Sequence, residues 1–186
     1  MDERQASNDY AFLTIWRVAG DVEEVTAILG DGESLPRWWP AVYLDVRSVQ
    51  PGDEQGVGRV LDLYTKGWLP YTLRWTLTIV EPITRSGFAL TADGDLVGTG
   101  RWTFAQDGPE VVVTYAWNVS ANKPLLRRFS GLFKPAFAAN HRWAMAKGEE
   151  SLRLELRRRR AKTDQERAAI PAPPGATFAL GRPKSN

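Results

Sequence analysis

His141 is the single imidazole in a chain of 186 residues that contains no cysteine. That pair of counts decides most of the chemistry. A Ser/His/Asp relay would have to run through His141, a site built from several histidines is excluded, and thiolate nucleophiles, Cys-ligated metals and disulfides are excluded with it. No phosphate-binding Walker pattern occurs, and Gly98 to Thr103 (GTGRWT) lacks the third glycine of a dinucleotide fingerprint. Gly98 and Gly100 read instead as places where a strand bends or lets another element pass close by. The sequon at Asn118 to Ser120 has no export signal to give it meaning. No metal and no cofactor are therefore expected. The other unusual resource is aromatic: eight tryptophans against two methionines. An indole offers a flat apolar wall with one N–H that can orient a ligand, and it is equally at home in a core.

The element that must position His141 is the stretch from Pro135 to about Arg160. At about 100° per residue, Phe137, His141, Ala144, Met145, Gly148, Leu152 and Leu156 share one stripe. Arg142, Lys147, Glu150, Arg153 and Arg157 lie opposite, interrupted by Trp143 and Leu154. Pro135 lacks an amide hydrogen and suits a first helical turn, so Leu125 to Phe133 is expected to be a separate or bent turn. Arg157 to Arg160 stabilise the negative end of the helix dipole.

Before this helix the pattern has period two. Tyr10 to Val18 reads as a first strand, followed by a short helix from Asp21 to Leu29 with Asp21 as its N-cap, and a second from Ser34 to Trp39. Six strand-like runs then cover 42–49, 58–65, 71–81, 86–92, 98–105 and 110–119, with Gly-, Pro- and Asp-rich connections that suit antiparallel hairpins. In the third run Leu73, Trp75, Leu77 and Ile79 alternate with Thr72, Arg74, Thr76 and Thr78, one face buried and one wet. Trp16, Trp75, Trp102 and Trp117 fall within strands, whereas Trp38, Trp39 and Trp68 fall in connections beside Pro40 and Pro70. Glu81 and Arg101 fall in strands whose faces the pattern does not assign.

These elements imply an α+β helix-grip fold: a curved antiparallel sheet of about seven strands wrapped around a long C-terminal helix, with two short helices after the first strand. The domain spans 10–160, between a flexible N-terminus at 1–9 and a Pro/Ala-rich tail at 161–186, in which Phe178 and Leu180 could dock on the domain while the rest contributes little. The formal charge of +2 is too balanced to point to nucleic acid, although the first 60 residues are acidic and the chain from Lys123 onward is basic. No apolar run is long enough for a membrane span, and the cytoplasm is the default compartment.

Specific stretches carry a resemblance: PRWWPAVY from Pro36, GVGRV from Gly56, KGWLPYTLRW from Lys66, GDLVGTGRWTF from Gly94 and FAANHRWAM from Phe137. In these, and in element order over about 10–160, the chain resembles the START-related (SRPBCC) superfamily and its polyketide cyclase/dehydrase-like branch. The resemblance implies a deep apolar pocket for a hydrophobic or aromatic small molecule and transfers no catalytic motif. The expected lining is Trp39, Trp75, Trp102, Phe104, Trp117, Phe137, His141 and Met145, around a space of order 300 to 1,000 Å³. Binding or carrying such a ligand is the leading expectation. The alternatives are a cyclase/dehydratase acting in the same cavity, with His141 or a nearby carboxylate moving a proton, and a module whose Arg157 to Arg160 end meets an acidic protein or a membrane surface.

Overall fold

The computed structural model describes residues 9–121 and 130–177. The first strand, β1 (Asp9–Ala19), turns Tyr10, Phe12, Trp16 and Val18 inward and leaves Leu13, Ile15 and Arg17 on the outer face. Next comes α1 (Val22–Leu29), whose N-terminus is closed by Asp21 and Glu24: the Glu24 carboxylate accepts the Asp21 N–H at 3.1 Å. Val22, Val25, Ile28 and Leu29 are its buried face. A 3-10 turn (Gly32–Ser34) leads into α2 (Leu35–Trp38), with Pro36 in its first turn, where a missing N–H costs nothing.

The chain then zigzags through β2 (Tyr43–Gln50), β3 (Val60–Lys66), β4 (Thr72–Ile79), β5 (Gly87–Gly94), β6 (Leu96–Asp107) and β7 (Glu110–Ala121). Among the described residues these form one seven-stranded sheet in the order β1-β7-β6-β5-β4-β3-β2, every neighbouring pair antiparallel. All strand pairings within β2 to β7 are therefore between sequential strands, and only β1 reaches across the sequence, pairing with β7 from Asp9↔Ser120 to Ala19↔Glu110. Gly98 and Gly100 serve their own sheet rather than the helix. A Cβ on Gly98 would lie 2.0 Å from the Asn118 carbonyl, and one on Gly100 would lie 2.7 Å from the Tyr115 hydroxyl.

The long helix, α3 (Ser130–Arg160), has 31 residues. It begins before Pro135, which therefore sits inside it, so residues 130–134 continue the helix instead of forming a separate turn; residues 125–129 of that expected turn lie outside the described residues. Phe137, Met145, Leu152 and Leu156 are buried as the stripe requires, while Arg142, Arg153 and Arg157 face solvent. The helix also caps the free edge of β1: Arg153 donates to the Arg17 carbonyl at 2.9 Å and Arg160 to the Ala19 carbonyl at 3.2 Å.

Glu155 falls on the buried stripe with its side chain 1% exposed. Arg37 of α2 donates to both its oxygens at 2.9 and 2.8 Å, Arg159 donates at 2.9 Å, and Arg158 stands 3.7 Å away. Burial pushes the carboxyl pKa up, but the hydrogen bonds and charges of Arg37 and Arg159 outweigh it and hold it below the usual carboxylate range. Arg160 pairs with Glu24 of α1, its Nε donating at 2.8 Å. Of the arginine run, Arg160 clasps α1, Arg159 holds Glu155 of its own helix for the Arg37 link to α2, and Arg157 faces solvent.

Past Arg160, α4 (Asp164–Ala168) is capped by Thr163, whose hydroxyl accepts the Glu166 N–H at 3.1 Å. The chain then returns toward the β3–β4 connection: Arg158 donates to the Pro171 carbonyl at 2.9 Å, the Thr177 hydroxyl donates to the Gly67 carbonyl at 3.3 Å, and the Lys66 ammonium, in a residue 3% exposed, donates to the Thr177 carbonyl. Phe178 and Leu180 lie outside the described residues. No helix among the described residues is long and apolar enough to cross a membrane.

Arg37 and Arg159 are 54% and 36% exposed and can turn to water when Glu155 is removed, so Glu155→Ala should cost the lost charge-assisted hydrogen bonds, about 1.5–3 kcal/mol in urea unfolding. A loss below about 1 kcal/mol would mean that hydration of the arginines replaces these bonds in full.

Candidate functional site

The inward positions of β4, β6 and β7 bring Trp75, Trp102, Tyr115 and Trp117 onto the concave face, and α3 lays Phe137, His141 and Met145 across them. Between the two lies a cavity of about 100 Å³, closed laterally by Trp39, Tyr43, Thr65, Lys66 and Asn140. This is smaller than the space expected from the sequence. The reason is aromatic filling: Trp102 stacks on Tyr115 at 4.0 Å, Tyr115 on Trp117 at 5.7 Å, and Trp39 meets Tyr43 edge-on at 5.2 Å. Trp39, Tyr43, Trp75, Trp102 and Tyr115 form a partition, and a second void of about 40 Å³ lies on its far side.

Of the residues expected to line a cavity, Trp39, Trp75, Trp102, Trp117, Phe137, His141 and Met145 come together here. Phe104 does not. It shares the inward face of β6 but lies further along the strand, where it packs against Phe88 at 6.1 Å. Trp16 and Trp38 are core, Trp143 is half-buried, and Trp68 is 37% exposed in the β3–β4 connection. Glu81 and Arg101 pair with each other on the solvent face. Sequence reasoning did not single out Tyr43, Tyr115, Thr65, Lys66 and Asn140. Tyr115 was recoverable, because it sits two residues before Trp117 on the same strand face; Lys66 carries no sequence signal for burial.

Most polar groups of the wall are already paired. The Trp75 indole donates to the Thr65 hydroxyl at 3.0 Å, and the Asn140 side-chain oxygen accepts the Leu69 N–H at 3.2 Å. Asn140 also touches the backbone at Gly67 so closely that a Cβ there would sit 2.0 Å from its oxygen. Trp39 Nε1 and His141 Nε2 are buried without a hydrogen-bond partner among the described residues, as are the Tyr71 hydroxyl, the Trp16 and Trp38 indole nitrogens and the Ser151 hydroxyl outside this wall. The His141 ring stacks on Phe12 at 4.0 Å and 14°. Burial, helped by the Arg142 charge, lowers its pKa to about 4, so the ring is neutral at pH 7. Burial also raises the phenol pKa of Tyr43 and Tyr115, and raises that of Tyr71 to about 12 with a smaller contribution from Tyr10. Among the described residues no carboxylate lines the cavity, and no group of three or more His, Asp or Glu side chains could hold a metal ion. The described wall carries one cation, the Lys66 ammonium, and as a proton acceptor offers a weakly basic imidazole.

Gly148 fixes where Trp39 lies. A Cβ on Gly148 would stand 2.3 Å from the indole Cζ2, so the absent side chain is the notch that receives the ring. Gly148→Ala should displace Trp39 and cost about 1–3 kcal/mol through overpacking, with a change in tryptophan emission. Unchanged stability and emission would show that the notch is slack.

His141 also makes stability depend on pH. Its folded pKa of about 4 lies below the ordinary 6.5, so between those values the unfolded chain takes a proton that the folded chain refuses. The stabilisation from a neutral His141 is complete above about pH 6.5 and is lost as pH falls toward 4, by roughly 3 kcal/mol at 1.36 kcal/mol per pKa unit. His141→Gln should flatten the stability profile in that window, and an unaltered slope would mean that the ring charges without penalty.

A family model described as polyketide cyclase / dehydrase and lipid transport matches residues 16–156. Among curated proteins none matches the sequence. The fold is similar to that of the Zhui aromatase/cyclase from Streptomyces sp. R1128, with a TM-score of 0.67 at 15% identity over 83% of this chain and 97% of that one. It is also similar to a Thermus thermophilus protein, with a TM-score of 0.62 at 17% identity over 79% and 94% of the two chains. A START superfamily protein from Mycobacterium smegmatis gives 0.52 at 18% identity over 73% and 98%.

Proposed function

Since the chain belongs to the polyketide cyclase/dehydrase and lipid transport family, we propose that it binds or carries a small hydrophobic or aromatic molecule in the cavity between the sheet and α3. The observation that carries this reading is an apolar, tryptophan-rich space between sheet and helix, walled by Trp39, Trp75, Trp102, Trp117, Phe137 and Met145 and left unfilled by the described side chains.

The second reading is a cyclase or dehydratase acting in the same space, favoured by the family description and by the likeness to the Zhui aromatase/cyclase. His141 would be its proton carrier. A pKa of about 4 makes that imidazole a poor base near neutrality, and among the described residues no carboxylate lines the cavity to assist it, which is why binding is the stronger reading. The reading as a module for acidic partners or membranes is weakened, because Arg158, Arg159 and Arg160 each already bond a group of this chain.

Native mass spectrometry of the purified protein should reveal a bound small molecule, or one acquired from a panel of apolar aromatic compounds, and binding should quench tryptophan emission and raise Tm. A panel that gives no adduct, no quenching and no thermal shift would sink both the carrier and the enzyme reading.

A further inference from the structure

Lys66 ends β3 and Gly67 begins the connection to β4, residues 67–71, yet both are buried. Part of their cover comes from the far end of the chain. The Thr177 hydroxyl donates to the Gly67 carbonyl at 3.3 Å, and the Lys66 ammonium donates to the Thr177 carbonyl. Lys66 and Gly67 also line the cavity, so the tail holds a wall of the binding space.

Most of the described lining is fixed by regular structure. Trp75, Trp102, Tyr115 and Trp117 belong to strands, and Phe137 and Met145 to α3, so displacing them breaks ladder or helix bonds. The connection is fastened by side chains instead: the Asn140 oxygen of α3 accepts the Leu69 N–H at 3.2 Å, and Thr177 takes hold at Gly67. Local opening follows the route with the fewest bonds to break, and among the described walls that route is the connection.

The tail segment is built to dock and release. Residues 164–168 of α4 are exposed, but Pro173, Pro174, Ala176 and Thr177 are half-buried again. At the start of this segment Arg158 donates to the Pro171 carbonyl at 2.9 Å. Pro171, Pro173 and Pro174 each fix φ, so the segment has little conformational freedom to lose on docking. It lies beyond the part of the chain that the family model matches, which ends at residue 156.

Resting on the ligand-binding reading above, we propose that residues 170–177 are a strap that gates the cavity. Docked, the strap holds the β3–β4 connection down against Asn140 of α3. Released at Thr177, it lets the connection lift and a ligand pass. No residue of 171–177 lines the cavity, so the strap acts on the wall and not on the ligand.

Hydrogen exchange on the full-length protein tests the strap without any ligand. Thr177→Val removes the donated hydrogen bond and keeps the shape; Arg158→Met frees the segment at Pro171 and keeps the stem. In Thr177→Val the amides of 67–71 and of 171–177 should exchange about two- to tenfold faster, the range set by one net hydrogen bond, while β6 and β7 keep their protection. Arg158→Met should act in the same direction. Faster exchange of the tail with none at 67–71 would overturn the strap. Ligand entry is read by stopped-flow mixing with anilinonaphthalene sulfonate, a dye that brightens in apolar surroundings, and with naphthol, followed by tryptophan quenching. A gate that does not touch the ligand favours neither the bound nor the free state, so association and dissociation rates should rise by the same factor at constant Kd. Unaltered rates, or a Kd that shifts at an unchanged association rate, would show that Thr177 is not part of a gate. Binding of neither probe to any of the three proteins would sink the ligand-binding reading and the gate with it, even where the exchange result shows the strap holding the connection.

Discussion

The indole of Trp39 lies against a helix that has no side chain at the point of contact. Trp39 ends α2 and Gly148 sits near the middle of α3, so this one fit sets how far the helix stands off the concave sheet and what room remains beneath it. A strongly curved antiparallel sheet has a single apolar face to cover and one element long enough to cover it. Were the helix to settle directly on the tryptophans, the cavity would close. Were it held further off, water would enter. Trp39 acts as the spacer, and Glu155, gripped by Arg37 from α2 and by Arg159 from its own helix, keeps the same pair of elements from sliding.

Two kinds of polar group are buried along α3, and they behave oppositely. Glu155 is charged and saturated, every oxygen matched by a guanidinium, so it is a structural tie that contributes as long as all partners remain. His141 is neutral and incomplete, its Nε2 facing no partner. Both kinds occur on either side of the Gly148 notch: Asn140 accepts the Leu69 N–H, and the buried Ser151 hydroxyl has no partner among the described residues.

The sheet, its faces and the helix stripe were legible in the sequence because each rests on local periodicity: YTLRWTLTI alternates along β4 as expected, and Phe137, Met145, Leu152 and Leu156 keep the helical spacing. The gathering of Trp75, Trp102 and Trp117 followed from the same rule. What failed to be legible depends on contacts distant in sequence. Glu155 was invisible as a core residue because its partner Arg37 lies 118 positions away. Phe104 satisfied the face rule yet fell beyond the cavity, since alternation gives the side of a strand but not the position along it. Cavity volume was out of reach for a related reason: it is the small remainder after large rings have packed, and ring packing is decided by rotamers. Pro135 was expected to open a helix, and the helix begins at Ser130 instead.

The position of β1 at the sheet edge has a consequence for how the protein is made. Every other strand pairs with its immediate successor or predecessor, so β2 to β7 can form hairpin by hairpin as they emerge from the ribosome. β1 is synthesised first, carrying Tyr10, Phe12, Trp16 and Val18 on its inward face, yet its only strand partner is β7. At translation rates of roughly 5–20 residues per second, that aromatic strand waits about 5–20 s before its partner exists. The covering helix arrives later still. Non-local pairing of this kind slows folding and leaves sticky surface uncovered in the interval. The outward charge at Arg17 lies within that strand and the acidic first turn of α1, with Glu23 and Glu24, follows it in sequence, where charge opposes association of exposed apolar chain.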